Sequence, residues 1–435
     1  MSHRLLLLPL LMTGLAACGG GGGGGTPASA STPASASPSA PSTAAPVSSA
    51  TPLPAGAGPG LGQSCASPKG RVLEVGPGKT YASPSAAAAV AQAGDTVRIA
   101  AGDYRGAAAL AQWSVNNLTI CGVGGTARLF ADGQNARGKG TWVISGADVT
   151  LDGLSFHNAA VPDQNGAGIR AEHSSGTLRI LNSGFYDNEN GLLASPGNGS
   201  IEIAYSEFAG NGRGDGYTHN IYVNQIASLK VDASVFRQAR IGHNLKSRAA
   251  ESVIQNSYFM DGPSGTASYQ VDFPNGGRVL LRGNMMQKGP NADNAYIVSY
   301  GLEGLTHPTR TLELVHNTLV STRANGGYLY VAGGTASVKL TGNLLAGTGS
   351  PTLTAPDGFA SGNVTQSQNV SGLASDIPGA SDTAKPNFWP TGALAARIAI
   401  SGVPDASYTT DAPQPFVMRT IGGATRVAGA LQSAP

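Results

Sequence analysis

Through the middle of the chain one short pattern keeps returning. An alternating apolar–polar stretch leads to a small polar residue, one further residue, and then a large apolar one. Ile201-Glu-Ile-Ala-Tyr-Ser-Glu-Phe208, Leu229-Lys-Val-Asp-Ala-Ser-Val-Phe236 and Val253-Ile-Gln-Asn-Ser-Tyr-Phe259 all follow it. The large apolar residues fall at Phe156, Phe185, Phe208, Phe236, Phe259, Met286, Leu319 and Leu345, with successive gaps of 29, 23, 28, 23, 27, 33 and 26 and a mean of 27. Two residues before each, except the first, stands Ser183, Ser206, Ser234, Ser257, Asn284, Asn317 or Asn343. Alternation with a period of two marks strands. A polar residue at the same corner of every repeat, with a large apolar residue beside it, is what stacked coils need, because each coil buries its apolar face against its neighbours. The period is too long for a hexapeptide left-handed helix, and the repeated Leu and helical side of a leucine-rich repeat are missing. The expected fold is all-β: a single-stranded, three-sided, right-handed parallel β-helix of about 27 residues per coil.

A second strand precedes each of these. Its apolar residues align as an inward column of Ile169, Leu192, Ile221, Leu245, Val271, Ile297 and Leu329. Side chains alternate across a strand, so the outward residues are Gly168, Arg170 and Glu172 in the first coil, Asn220, Tyr222 and Asn224 in the third, Asn244, Lys246 and Arg248 in the fourth, and Gln270, Asp272 and Pro274 in the fifth. Coils stack about 4.8 Å apart. Tyr222, Lys246 and Asp272 are then expected in one column, with Asn220, Asn244 and Gln270 beside it. The densest stretch is Ile241-Gly-His-Asn-Leu-Lys-Ser-Arg248, and Thr218-His-Asn-Ile-Tyr-Val223 repeats its His-Asn pair 24 residues earlier. His219 and His243 fall on the inward or corner side, where a structural role competes with a catalytic one. Two cations on one small surface repel unless an anion is expected there, which points to an acidic ligand.

Toward the N-terminus, residues 71–81 read as a strand and turn, 83–92 as a short Ala-rich helix, and 95–100 as another strand. Composition agrees with a turn-rich β architecture: 62 of 435 residues are Gly and 12% are charged, against about 7% and 25% in ordinary soluble domains. The glycines have no collagen period. Formal net charge is +2, from 27 basic and 25 acidic residues. That supplies no basic stripe, so no nucleic-acid partner is expected. A monomer is expected.

The first 18 residues carry Arg4, an apolar run and Leu15-Ala16-Ala17-Cys18, an arrangement that resembles a bacterial lipoprotein signal. The resemblance implies removal of residues 1–17, lipidation of Cys18 and, with Gly19 following, an address at the outer membrane of a Gram-negative bacterium. Residues 18–60 contain seven consecutive glycines, Gly19 to Gly25, and then mostly Ala, Ser, Thr and Pro. They are expected to form a disordered tether leading to a β-helix domain over residues 61–435. With Cys18 set aside, Cys65 and Cys121 remain, either as a disulfide clamping the start of the domain or as two free thiols.

The repeats of residues 70–435 resemble the pectate-lyase-like β-helix superfamily. By the same resemblance the first strand–helix–strand segment is an N-terminal cap, and Pro386-Asn-Phe388, residues 419–424 and Gly429-Ala430 belong to a C-terminal capping segment. A capped coil end leaves no sheet edge exposed. That superfamily holds several chemistries, so the fold alone names no reaction. Lys246-Ser247, with Asn256-Ser-Tyr-Phe259 closing the coil, is similar to the catalytic coil of the alginate lyase and chondroitinase B family, in which the Lys is the base. The chain departs from that family in the preceding coil, where His219-Asn-Ile-Tyr222 has no Glu, and in the next, where Val271-Asp-Phe-Pro274 replaces a catalytic Arg. Calcium, a cofactor of that family, is therefore left open here, as is any other metal.

The expected chemistry is β-elimination from a uronate polysaccharide. Lys246 is the base. Arg248 and Arg170 clamp the substrate carboxylate, since a planar guanidinium binds one bidentately. Tyr222 donates to the leaving oxygen, and Asn220, Asn244, Gln270 and Asp272 hold sugar. Hydrolysis is disfavoured, because the outward carboxylates Asp272 and Glu172 lie about four layers apart, beyond the reach of a carboxylate pair. The competing class is a non-catalytic, polysaccharide-binding or structural surface lipoprotein, in which the same patch binds uronate without a base.

Overall fold

Each repeat closes one coil through sharp corners that recur at the same place in every layer. The computed structural model describes residues 60–347 and 362–401, with short pieces at 353–355, 358, 408–410, 418–420 and 426–432. The signal, Cys18 and tether readings, and most of residues 419–424, lie outside the described residues. Coils stack in parallel register along three faces, two of them forming a 21-stranded sheet and the third a 10-stranded sheet. The solenoid has about 11 coils of ~27 residues.

At the corner between the first two faces stands a left-handed residue: Asn182, Tyr205, Ala233, Asn256, Gly283, His316 and Gly342, with φ between 44° and 64°. Such a conformation costs a non-glycine residue about 1–2 kcal/mol. The column of Ser and Asn that follows offsets it. Ser206 Oγ accepts from the Ser183 amide at 3.1 Å, Ser234 Oγ from Ser206 at 3.2 Å and Ser257 Oγ from Ser234 at 3.1 Å. Asn284, Asn317 and Asn343 continue the ladder with bonds of 3.1, 3.0 and 2.9 Å. The polar column of the sequence is thus an internal hydrogen-bond rail joining each coil to the next.

Beside it runs the apolar column. Phe156, Phe185, Phe208, Phe236 and Phe259 are fully buried, and their rings stack at centroid distances of 5.1, 4.3, 5.0 and 4.8 Å. On the third face Ile169, Leu192 and Ile221 align, as do Leu245 and Val271. The next member is Val298 rather than Ile297, because Val271 pairs with Val298 and Val298 with Leu329. Ile297 lies one position earlier and is buried as well; two adjacent β-branched residues made the register ambiguous.

The N-terminal helix is shorter than expected, Pro84–Ala88, and Ser83 caps it by accepting from the Ala86 amide. Ala87 enters the main core, so the helix covers the open interior of the first coil. Cys65 and Cys121 are joined by a disulfide across a sequence separation of 56, a loop whose closure is worth about 4 kcal/mol. The C-terminal segment covers the solenoid along its side. Ile377, Phe388, Leu394 and Ile398 pack on Tyr258, Met285, Val320 and Leu344 from four successive coils.

Candidate functional site

The site lies on the 10-stranded face, where the strands Ile221–Val223, Leu245–Ser247 and Val271–Phe273 stack. Tyr222 pairs with Lys246 and Lys246 with Asp272, so these three side chains share the outward column. Lys246 Nζ donates to Glu303 Oε1 at 2.6 Å and lies 3.5 Å from Asp272 Oδ2. Arg248 follows directly after its strand. Its Nε donates to Tyr222 Oη at 2.9 Å, its Nη1 to Asn275 Oδ1 at 2.5 Å, and its Nη2 to Glu303 Oε2. The guanidinium also lies 5.7 Å from the Tyr222 ring centre, within cation–π range. Lys246 and Arg248 are therefore held side by side, with one carboxylate bridging them.

Asp272 faces the right way but lies underneath. Its side chain is 5% exposed, Oδ1 accepts from the Ser299 hydroxyl, and Oδ2 is 3.5 Å from His243 Nε2. Burial pushes its carboxyl up to about 6. It supports Lys246 from below and cannot meet a polysaccharide. Glu303 differs: partial burial raises its carboxyl, but hydrogen bonds from Lys246 and Arg248 outweigh that and hold it below the ordinary Glu value.

Beside the outward column, rather than on the inward side, the two histidines stack at 4.8 Å, with the His219 ring 5.7 Å from that of Tyr222. The His243 amide donates to His219 Nδ1 at 3.0 Å, and the Tyr269 amide donates to His243 Nδ1 at 3.2 Å. Because both Nδ1 atoms accept, the protons sit on Nε2. Burial pushes His219 down to about 3 and holds His243 well below the usual range. Both are neutral supports of the backbone that carries Asn220 and Asn244.

Three expected sugar contacts are misplaced by the alternation argument. Asn220, Asn244 and Gln270 are fully buried. They form a ladder in which Asn211 Nδ2 donates to Asn220 at 2.7 Å, Asn220 to Asn244 at 2.6 Å and Asn244 to Gln270 at 2.5 Å. Each stands one residue before its strand begins, in a turn where strict alternation does not hold. Arg170 is also displaced from the expected clamp. It is three registers from Lys246, through Leu193 and Tyr222, or about 14 Å along the stack, and its Nη2 bonds Ser195 Oγ at 3.4 Å. One carboxylate cannot reach both Arg170 and Arg248.

Glu303, Asn275, Ser299 and His307, whose Nε2 lies 2.9 Å from the Arg248 carbonyl oxygen, were missed by sequence reasoning. They come from turns and strands up to 59 residues later, and only coil stacking brings them in. Among the described residues no group of three or more His, Cys, Asp or Glu is placed to hold a metal ion, and Asp272 and Glu303 both already face Lys246.

No family model matches the chain, and no curated protein matches it. Among solved structures it is similar to pectate lyase Pel9A, with a TM-score of 0.54 and 13% identity over 86% of this chain and 98% of that one. At that identity the likeness speaks to architecture, and the chain has the right-handed parallel β-helix fold of a pectate lyase.

Proposed function

We propose that this chain is a polysaccharide lyase that cleaves a uronate-containing polysaccharide by β-elimination. The observation that carries the reading is the outward pair Lys246 and Arg248 with a carboxylate bound across it. The Glu303 contacts demonstrate that the spacing of ammonium and guanidinium accepts both oxygens of one carboxyl group.

In the reaction the substrate carboxylate sits on Arg248, whose plane is fixed by Tyr222 and Asn275. The cation stabilises the negative charge that grows on the carboxylate as the C5 proton leaves, and this gain is realised mainly in the transition state. Lys246 Nζ takes the C5 proton. The C5–H electron pair becomes the C4–C5 double bond, the C4–O bond breaks, and the departing oxygen takes a proton from the Tyr222 hydroxyl, one coil away. Arg248 does the work that a bound cation does in calcium-dependent chemistry, so no metal enters the steps.

Glu303 supplies a second carboxylate near Lys246, which reopens hydrolysis as a question of geometry. Hydrolysis needs two carboxyls flanking an open space. Asp272, buried beneath Lys246, does not face one. The binding-protein alternative uses the same cation pair without the amine as base. Screening alginate, pectate, chondroitin and hyaluronan for unsaturated products separates the readings: an ultraviolet-absorbing product supports the lyase, and saturable binding without product supports the binding protein. The outer-membrane address through lipidated Cys18 is part of this proposal and rests on residues 1–25 alone.

A further inference from the structure

The Lys246–Arg248 pair does not stand open. Side-chain exposure rises from 11% at Lys246 and 18% at Arg248 to 46% at Glu303, so the bridging carboxylate is the outermost of the three. Its backbone is pinned: the Glu303 amide donates to the Pro274 carbonyl at 3.0 Å, and Asn275 Nδ2 donates to the Gly304 carbonyl at 3.1 Å. Gly301 and Gly304 bracket the turn with φ of 79° and 101°, values glycine adopts without strain. The turn is thus a fixed mount, and rotation of the Glu303 side chain alone uncovers both cations.

We propose that Glu303 is a built-in competitor for the substrate carboxylate, which it must yield to on Lys246 and Arg248, and that this exchange sets the affinity and the carboxylate selectivity of the site. The proposal rests on reading the cation pair as a uronate site. A neutral sugar that pushed Glu303 aside would break both of its ion pairs, leaving Lys246 with Asp272 and Arg248 with the neutral partners Tyr222 and Asn275, and its hydroxyls cannot restore the lost pairs. A uronate replaces one carboxylate by another, so the charge balance is kept. Selectivity then comes from the penalty on the wrong ligand as much as from attraction to the right one. The cost is in affinity: a site open only part of the time binds more weakly in proportion to its open fraction. Two partly exposed ion pairs hold it shut, which corresponds to a weakening of about 2- to 30-fold.

The test compares the parent with Glu303→Gln and Glu303→Asp in the full chain. Binding is read by calorimetry with methyl glycosides of glucuronate, galacturonate, mannuronate and guluronate, which have no C4 leaving sugar, and with their methyl esters. KM is read on the polysaccharides of the screen. Glu303→Gln is expected to bind the acids about 2- to 30-fold more tightly, to lift the penalty on the esters by a similar factor, and to lower KM by a similar factor. Glu303→Asp, too short to span both cations, is expected to fall between. Unchanged or weaker acid binding in Glu303→Gln overturns the proposal, even if the parent forms unsaturated product and the lyase reading stands. Tighter acid binding with no product from any variant upholds the competitor and removes the lyase. Absence of acid binding and of product in every variant removes both.

Discussion

Asp272 gives a pH signature that can be worked out in advance. Burial lifts its carboxyl from 3.8 to about 6. The groups facing it are Lys246, His243 and Ser299, with Glu303 beyond Lys246. His243 stays neutral, and Glu303 titrates lower than the window that matters. A carboxyl whose folded value is raised favours the folded state when protonated. Its contribution is fully present below the unfolded value and is lost as pH rises through about 6. The whole span corresponds to about 3 kcal/mol, and about 2 kcal/mol of it falls between roughly pH 4.5 and 7.5. Asp272→Asn keeps the shape and removes the titration. Urea unfolding of parent and variant across that range is the assay. The stability of the parent relative to the variant should fall by about 2 kcal/mol as pH rises. A difference that does not depend on pH, or one that grows with pH, would refute the reasoning that burial dominates this site.

Further outcomes follow from the core, the metal test and the N-terminus. Phe236 is sandwiched between Phe208 and Phe259, so Phe236→Ala should cost about 3–5 kcal/mol in denaturant unfolding; a loss under about 1 kcal/mol would mean the stack does not carry that coil. On the proposal that Arg248 takes the role of a cation, a chelator should leave turnover within about twofold of the untreated protein, and abolition restored by calcium would contradict this. Cys18→Ser should shift the protein out of the membrane fraction or leave an uncleaved precursor, and fractionation identical to the parent would remove the lipid anchor.

The fold was legible because its two demands repeat in every coil. The corner after a left-handed residue needs a short acceptor, met by Ser206, Ser234 and Asn284, and the interior beside it needs a large apolar group, met by Phe208, Phe236 and Met286. Both recur near 27 residues whatever lies between. The column Tyr222, Lys246 and Asp272 was legible for the same reason, since alternation holds inside strands as short as Leu245–Ser247. It failed one residue outside them: Asn220, Asn244 and Gln270 turn inward to satisfy one another. Depth was also invisible, because alternation places Asp272 on the outer face without saying that Lys246 lies over it. Glu303 carried no local signal. Its role arises from a turn 55 residues after Arg248, and only the stacking of later coils sets that carboxylate against the two cations.

The central claim is that Lys246 removes a proton that Arg248 has made removable. The most direct measurement is the rate of appearance of the 4,5-unsaturated uronate in the parent, Lys246→Ala and Arg248→Ala, with binding of the same polysaccharide followed in parallel. Loss of a general base costs about 10²- to 10⁴-fold in rate, so Lys246→Ala should lose turnover by at least about 100-fold while still binding. Arg248→Ala should lose both, because it holds the carboxylate in the ground state and in the transition state. Turnover in Lys246→Ala equal to that of the parent would contradict the account and take this residue out of the reaction.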